Sequence, residues 1–581
     1  MTSQELRKKF LDFFASSGHK IMPSSALLDV SDPSVLLTTA GMQQFKPYFA
    51  GLKNAKKDLG ADKITTIQKC FRTSDIDQVG DRDHLTFLEM LGNFSFNGEY
   101  WKKEAIRLAV EFLTKELGIK KDAFKITVFE GDKDVPFDKE TYQIWLDLGF
   151  QESQIAKAGR NDNFWGPTGD EGPCGPTTEI YLGGSEVWNI VFNEYFCDKQ
   201  RKLTLLENKG IDTGMGLERL TRVIQRKETI FETDLFSPLI DLLRTSGYEN
   251  SAENTREERI IADHIRGAVF LIAEGLLPSN VKEGYILRRV LRRAIRASIK
   301  LSLKENWQGE LIDLIIKNYQ EYYPELKKAQ NNILAVFQKE SATFTKALNQ
   351  GIRELEKMIQ NQQNVKIFSG DLAFKLYESY GFPAELTREL LKERGYGFDE
   401  EAFKKAQKNH QELSRQTFEK KIGGLAQNPS YHEIKLHTAT HLLHQALRDV
   451  LGDQVKQMGS DIDEKRLRFD FSFGRALTDQ EKEKVEKIVN QKILQDLQVE
   501  RMEIVYEDAL KMGALGFFKE KYPKQVSVYK IHLPESKKDF YSCEICRGPH
   551  IKRLSELKKF QILKEEAVGA GVRRIKADVV R

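Results

Sequence analysis

Residues 437–447 read HTATHLLHQAL, and residues 543–550 read CEICRGPH. A spacing of four puts His437 and His441 on one face of a helix, and Cys546 and His550 pair at the same spacing. One thiolate and three imidazoles form a donor set suited to Zn2+. A closed set of four favours a structural ion, whereas a catalytic zinc keeps one position open for water. The plain alternative is a helix with surface histidines and a structural cysteine turn. Two such pairs in one segment favour the metal.

A different chemistry is spread over the first 225 residues. KCFRTSDIDQVGDRDHLTFLEMLGNFSF reads as two strands around a long polar loop, with Arg72 near the end of the first strand and Phe87 on the second. Such a hairpin holds a nucleotide when the guanidinium forks onto a phosphate and the aromatic face stacks on a base. In IDTGMGLERL, Gly214 and Gly216 permit close backbone approach and Arg219 follows on a helix, without the spacing of a dinucleotide fold. Upstream, the amphipathic helix LRKKFLDFF leads into GHKIMPSSALL, a strand ending at Pro23.

The elements that must hold these residues differ in texture along the chain. Up to about residue 225, Gly, Pro and aromatics accompany strand alternation, as in Trp188, Ile190 and Phe192, which predicts a mixed α/β domain on antiparallel strands. From about 230 to 420, Lys, Glu, Leu and Ala recur with helical period. Ile422–Ser430 gathers Gly, Asn and Pro and reads as a boundary, after which helices and strands alternate to Arg581. The 581 residues, 40% hydrophobic, suffice for several cores. Five scattered cysteines make no disulfide framework and fit a reducing cytoplasm. The start carries no secretion signal, and GAVFLIAEGLL, broken by Glu274, is too short to span a membrane.

The net charge is only +4, so affinity for nucleic acid must come from local clusters of Lys and Arg. RRVLRRAIRASIK supplies one. Arg288, Arg292, Arg296 and Lys300 share a helical face, with Arg289 and Arg293 beside them, while Leu287, Val290, Leu291 and Ile295 form the other. That pattern predicts one docked apolar face and one free cationic face.

Taken in order, GHKIMPSSALL, the hairpin around Arg72 and IDTGMGLERL resemble motifs 1, 2 and 3 of class II aminoacyl-tRNA synthetases. TTAGMQQFKPYFAG, DNFWGPTGDEGPCGPTTEIYL, WNIVFNEYF and IIADHIRGAVFLIAEGLLPSN closely resemble the alanyl-tRNA synthetase family, collinearly over most of the chain. The resemblance implies an α/β multidomain fold. Residues 1–228 would be a class II antiparallel β-sheet catalytic core flanked by helices, 229–425 a helical tRNA-recognition domain and 431–581 an α+β editing domain. It implies ATP, Mg2+, alanine and alanine tRNA as partners, with Zn2+ in the editing domain.

By position, the resemblance implies that Arg72 holds the ATP α-phosphate, Phe87 stacks on adenine and Arg219 meets the terminal phosphates. Gly214 and Gly216 would line the ATP site, as would Arg82 and His84, which stand in the order Arg82, Asp83, His84 where the family has Arg-His. Trp165, Asn189 and Asp212 would form the alanine pocket, Asp212 pairing the ammonium, with Glu179 at a metal. Asn280 and Glu378, the latter replacing an aspartate, would read a G·U pair in the acceptor stem beside Arg288, Arg292, Arg293 and Arg296. RNA's shallow minor groove exposes such a pair.

HTATHLLHQALRDVLG, QMGSDI, LRFDFSFG and EEAVGAGVRRIKA resemble the family's editing domain, adding Thr440 and Gln457 to the pocket. A site shaped for a methyl side chain excludes glycine and serine poorly, so hydrolysis of the wrong ester is expected at a second site. Three departures stand out. Cys-Arg-Gly-Pro-His replaces the family's CGGTH, no β-barrel segment precedes the editing core, and the sequence stops at Arg581. These features predict a compact, short, monomeric form with fewer tRNA contacts than the family's usual members.

Overall fold

The computed structural model describes all residues except 29–34, 168, 246–247, 249–250, 252–253, 305, 362–365, 381, 383, 420–427, 517–522, 534–539, 570 and 581. Most of the expected boundary at 422–430 thus lies outside the described residues. The chain forms two units, Met1–Lys346 and Ala347–Arg581. The expected limit at residue 228 separates no such units, because the helices Thr255–Ala273 and Lys282–Lys300 belong with the sheet in the first.

The first unit is built on nine strands: β1 (Lys20–Ile21), β2 (Lys63–Phe71), β3 (Phe87–Ser95), β4 (Lys125–Phe129), β5 (Ile155–Ala158), β6 (Phe164–Trp165), β7 (Gly172–Leu182), β8 (Ser185–Cys197) and β9 (Leu203–Gly216). Their order is β1-β2-β3-β9-β8-β7-β4-β5, with β6 on β7. The β1–β2 and β4–β5 pairs are parallel and the rest antiparallel.

Alternation along β8 sends Trp188, Ile190 and Phe192 into one core with Leu6, Phe10 and Phe14 of the helix Ser3–Ser16. Those three recur every four residues, so one stripe of the helix faces the sheet. Thr2 and Glu5 close its N-terminus as a capping box.

In the second unit, the helix Tyr431–Leu451 begins at a capping box made by Ser430 and Glu433 and ends at Gly452, whose φ is +102°. Leu436, Leu442, Leu443 and Leu447 pack against Phe469 and Phe471. Four antiparallel strands run in the order Gln457–Asp463, Arg466–Ser472, Val572–Val579, Phe560–Gly569. Three more run in the order Gln498–Val505, Gln525–His532, Phe540–Ile545. Among the described residues, no helix is long and apolar enough to cross a membrane.

Candidate active site and metal centre

The first unit holds a cavity of about 310 Å³ over the middle of the sheet. Arg72 reaches it from the end of β2. Its backbone N–H donates to Thr86 O at 2.8 Å, and Phe71 faces Phe87 in register, so the two strands fix where Arg72 starts. Its guanidinium makes no ion pair among the described residues, which leaves its fork of donors for an anion. Arg219, in the first turn of the helix Leu217–Ile224, also lines the cavity and donates to Glu186 O at 3.0 Å and Glu186 Oε2 at 3.1 Å. A helix start and two arginines at one cavity favour a polyanion.

Asp212, on β9, lines the same cavity. Burial pushes its carboxyl up to about 7. A desolvated carboxylate of this kind gains most from a cation, since pairing restores what burial removed. Beside it, Asn189 donates to Glu179 Oε1 at 3.1 Å, and the Asn189 carbonyl oxygen is buried without a partner. Glu179 also accepts from Tyr181 Oη at 2.7 Å. Burial, reinforced by Glu186, lifts Glu179 to about 7. Its first evident role is to hold Asn189 in place. Trp165, Gly214 and Gly216 complete this wall. A Cβ on Gly214 would meet Met90 Sδ at 2.9 Å, so a side chain there would displace the cavity lining.

Two expectations for the nucleotide change. Phe87 does not line the cavity: it is fully buried and stacked on Phe270, ring centroids 4.1 Å apart and 15° from parallel. The period-two alternation of β3 turns Leu88 and Met90 toward the cavity instead. Of the two loop residues, His84 lines the cavity, held by Asp81, whereas Arg82 donates to Glu228 O at 2.8 Å away from it. The sequence reading missed Asp75, Asp83, Glu186 and Glu218 among the lining residues. Asp75 and Asp83 belong to the polar loop already singled out, and Glu218 precedes Arg219.

In the second unit, ligand atoms of His437, His441, Cys546 and His550 all lie within 4.8 Å of one another. The histidine pair sits on the helix Tyr431–Leu451 as expected. Cys546 and His550 do not share a helix: they lie in the irregular segment after the strand Phe540–Ile545. His437 donates through Nδ1 to Pro549 O at 3.1 Å, and His550 Nδ1 lies 3.2 Å from Thr438 Oγ1. The far nitrogen of each ring is thereby aimed inward, and His550 Nε2 is buried without a partner. Burial lowers His437 to about 4 and His550 well below its ordinary value, which keeps both rings neutral, as ligands must be. Three imidazoles and one thiol, with Nδ1 of His437 and His550 engaged on the outer side, fit Zn2+.

The sequence reading also missed Glu544. It accepts from His444 Nδ1 at 2.8 Å and lies 3.6 Å from His441 Nε2. Burial alone would raise its carboxyl, but His441 and His444 hold it lower. The fourth-spaced histidines and the glutamate two places before Cys546 were the available signals. Thr440 is buried, its hydroxyl donating to Leu436 O at 2.9 Å. Gln457 is half-buried and donates to Ser460 Oγ at 3.1 Å.

The family model described as tRNA synthetases class II (A) matches residues 5–463. That described as the threonyl and alanyl tRNA synthetase second additional domain matches 526–576. The alanine–tRNA ligase of Borrelia hermsii is 42% identical over 605 aligned residues, covering 100% of both chains. The chain belongs to the alanine–tRNA ligase family.

Other members of the family match as broadly. The alanine–tRNA ligase of Treponema denticola is 43% identical over 99% of each chain. That of Rubrobacter xylanophilus is 35% identical over 99% of this chain and 78% of its own. The class II fold and the additional domain read from the motifs agree with these matches.

The residues carried over for tRNA are placed differently from expectation. The cationic face of Lys282–Lys300 is not free. Arg288 and Arg292 both pair with Glu340, at 3.4 and 2.8 Å. Arg289 and Arg293 both pair with Asp77, at 2.7 and 2.8 Å, and Arg293 also donates to Ile76 O. Lys300 pairs with Glu257, and Arg296 has partners of its own. The physical reason is that an apolar stripe docked on the unit brings the neighbouring arginines within reach of carboxylates. Asn280 is exposed and accepts from Arg288. Glu378, in the second unit, is exposed and pairs with His410 at 3.0 Å.

Proposed function

We propose that this chain activates alanine with ATP, transfers it to the 3′ end of alanine tRNA, and hydrolyses seryl- or glycyl-tRNA at a separate editing site. The observation that carries the reading is the convergence, in one cavity, of unpaired Arg72, desolvated Asp212 and Arg219 at a helix start.

In this reading the alanine ammonium pairs with Asp212 and donates to the vacant Asn189 oxygen. The alanine carboxylate then attacks the α-phosphorus: one carboxylate O–P bond forms, the bond to the β-phosphate oxygen breaks, and pyrophosphate leaves. Arg72 neutralises the α-phosphate and Arg219 the leaving group, so placement and charge supply the catalysis and no general base is needed. Glu179 and Glu186, the cavity carboxylates on this wall, would hold a Mg2+ ion brought by the triphosphate, and the ion would supply further neutralisation of phosphate charge. Adenine rests against the Leu88 side of β3 and near His84, and Phe87 supports it only from below.

For editing, His437, His441, Cys546 and His550 would hold one zinc ion, and Thr440 and Gln457 would flank the mischarged ester. When bound, the ion supplies either a fixed scaffold or a polarised water. The chain's own residues keep the ligand rings neutral and oriented. Asn280, Glu378, Arg288, Arg292, Arg293 and Arg296 remain our candidates for the acceptor stem, each arginine available only where RNA phosphates displace its present partners. The unpaired cysteines suit the cytoplasm.

Alanylation of an alanine tRNA transcript tests this reading. The unmodified chain charges it, Asp212→Ala does not, and His437→Ala charges normally but accumulates seryl-tRNA. Charging that survives in Asp212→Ala would contradict it.

A further inference from the structure

At and behind the cavity wall lie four charged side chains removed from water, of which Glu218 belongs to the lining. Arg7 pairs with Glu89, and Arg266 pairs with Glu218 at 3.0 Å, with none of the four more than about 2% exposed. The two pairs are tied together. Glu218 accepts from the Glu89 backbone N–H at 3.3 and 3.2 Å, and Tyr323 donates to Glu89 at 2.9 Å. Tyr319 lies under the Arg7 guanidinium and within 3.0 Å of Arg266 Nη1.

Burying charge in this way is poor economy for stability alone, because apolar residues of similar volume generally do as well. The geometry of Arg266 shows what else it does. It comes from the helix Thr255–Ala273, outside the sheet, and it reaches at once the two elements that present the cavity's arginines. One nitrogen donates to Phe87 O, where the polar loop enters β3. Another pairs with Glu218, the residue before Arg219. Phe87 faces Phe71 across the hairpin, and Arg72 N–H donates to the neighbouring Thr86 O. A planar fork with fixed donors can span both contacts, and a single ammonium cannot.

We propose that Arg266 is a positioning residue for adenylate formation, setting the separation of Arg72 and Arg219 from behind the cavity. It touches no substrate and works through the Phe87 carbonyl and the Glu218 carboxylate. Asp263, one turn earlier on the same helix, acts in the same sense: it accepts from the Thr86 N–H at 3.0 Å and from the Thr86 hydroxyl. The helical segment is therefore part of the ATP site's architecture before any RNA binds. This inference rests on the adenylation reading above and deepens it.

The test is alanine-dependent ATP–pyrophosphate exchange without tRNA, with KM for ATP and for alanine measured separately. Arg266→Lys keeps the charge and loses the fork, so KM for ATP should rise about fivefold or more while KM for alanine stays within about twofold. Partial unfolding would instead lower kcat in proportion to the folded fraction, and unchanged KM values for both substrates in the protein that remains folded overturn the proposal. Tyr319→Phe removes one hydroxyl and no charge, so it decides the matter if Arg266→Lys fails to fold. It should raise KM for ATP about twofold, in the same direction. Wild-type KM values for ATP in the folded variants overturn the positioning role alone. Absence of exchange in the unmodified chain overturns the adenylation reading beneath it as well.

Discussion

His437 Nε2 and Cys546 Sγ lie 3.4 Å apart although 109 positions separate them in the chain. The helix and the irregular segment after a strand are brought together by the core around Leu436, Leu442 and Ile551, so the donor set is assembled by the fold and not by local sequence. One zinc ion per chain is expected by elemental analysis. Cys546→Ser should lower its affinity at least tenfold in competition with a chelating dye, in line with the loss of one strong ligand. Metal content and affinity that are the same in both proteins would remove the thiolate from the site.

Asp212 provides a pH test. Its carboxyl is raised from 3.8 to about 7 by burial. The folded chain therefore holds the proton more tightly than the unfolded chain across that window, and ionisation costs stability as pH rises through it. Asp212→Asn should be more stable than the unmodified chain at pH 8 by roughly 2–4 kcal/mol, a difference that vanishes near pH 4. For catalysis the sign is opposite: kcat/KM for alanine should rise with pH to a plateau above about 7, since only the ionised carboxylate meets the ammonium. Urea melts at the two pH values and the pH–rate profile check both.

Phe87 should behave as a core residue. Its ring is stacked on Phe270 with the Arg266 guanidinium 5.1 Å from its centre. Phe87→Ala is expected to cost about 3–5 kcal/mol in unfolding free energy. Phe87→Leu should keep KM for ATP within twofold, whereas Leu88→Ala should raise it. A selective rise in KM for ATP in Phe87→Leu, with stability intact, would return the aromatic ring to the nucleotide.

Arg289 and Arg293 grip Asp77 in the loop between β2 and β3, and Arg259 donates to Asp81 O at 2.8 Å. The loop that carries Asp75, Asp83 and His84 into the cavity is thus held by two helices. Asp77→Ala should raise KM for ATP two- to fivefold in the absence of tRNA. Arginines that served RNA alone would leave that constant unchanged.

Much of this was legible in the sequence because it is local. The four-residue spacing of Leu6, Phe10 and Phe14, the alternation of Trp188, Ile190 and Phe192, and the histidines at 437 and 441 each follow from one period applied to one element. What could not be read depends on which residues meet across the fold. The side of β3 that faces the cavity is set by its pairing with β2 and β9, so the sequence alone does not tell Leu88 from Phe87 as the residue that lines it. The carboxylates that neutralise the arginine helix come from Asp77 and Glu340, far away in sequence. Glu544 carries no motif of its own and becomes a partner of His444 only through the packing of a strand on a helix.

Amino-acid-dependent ATP–pyrophosphate exchange tests the central claim most directly, because it needs only the first unit's cavity and no tRNA. With purified protein and alanine, serine, glycine or threonine in turn, strong exchange is predicted with alanine and weaker exchange with serine and glycine. Exchange with none of the four would contradict the account and leave the cluster of His437, His441, Cys546 and His550 as the seat of whatever activity the chain has.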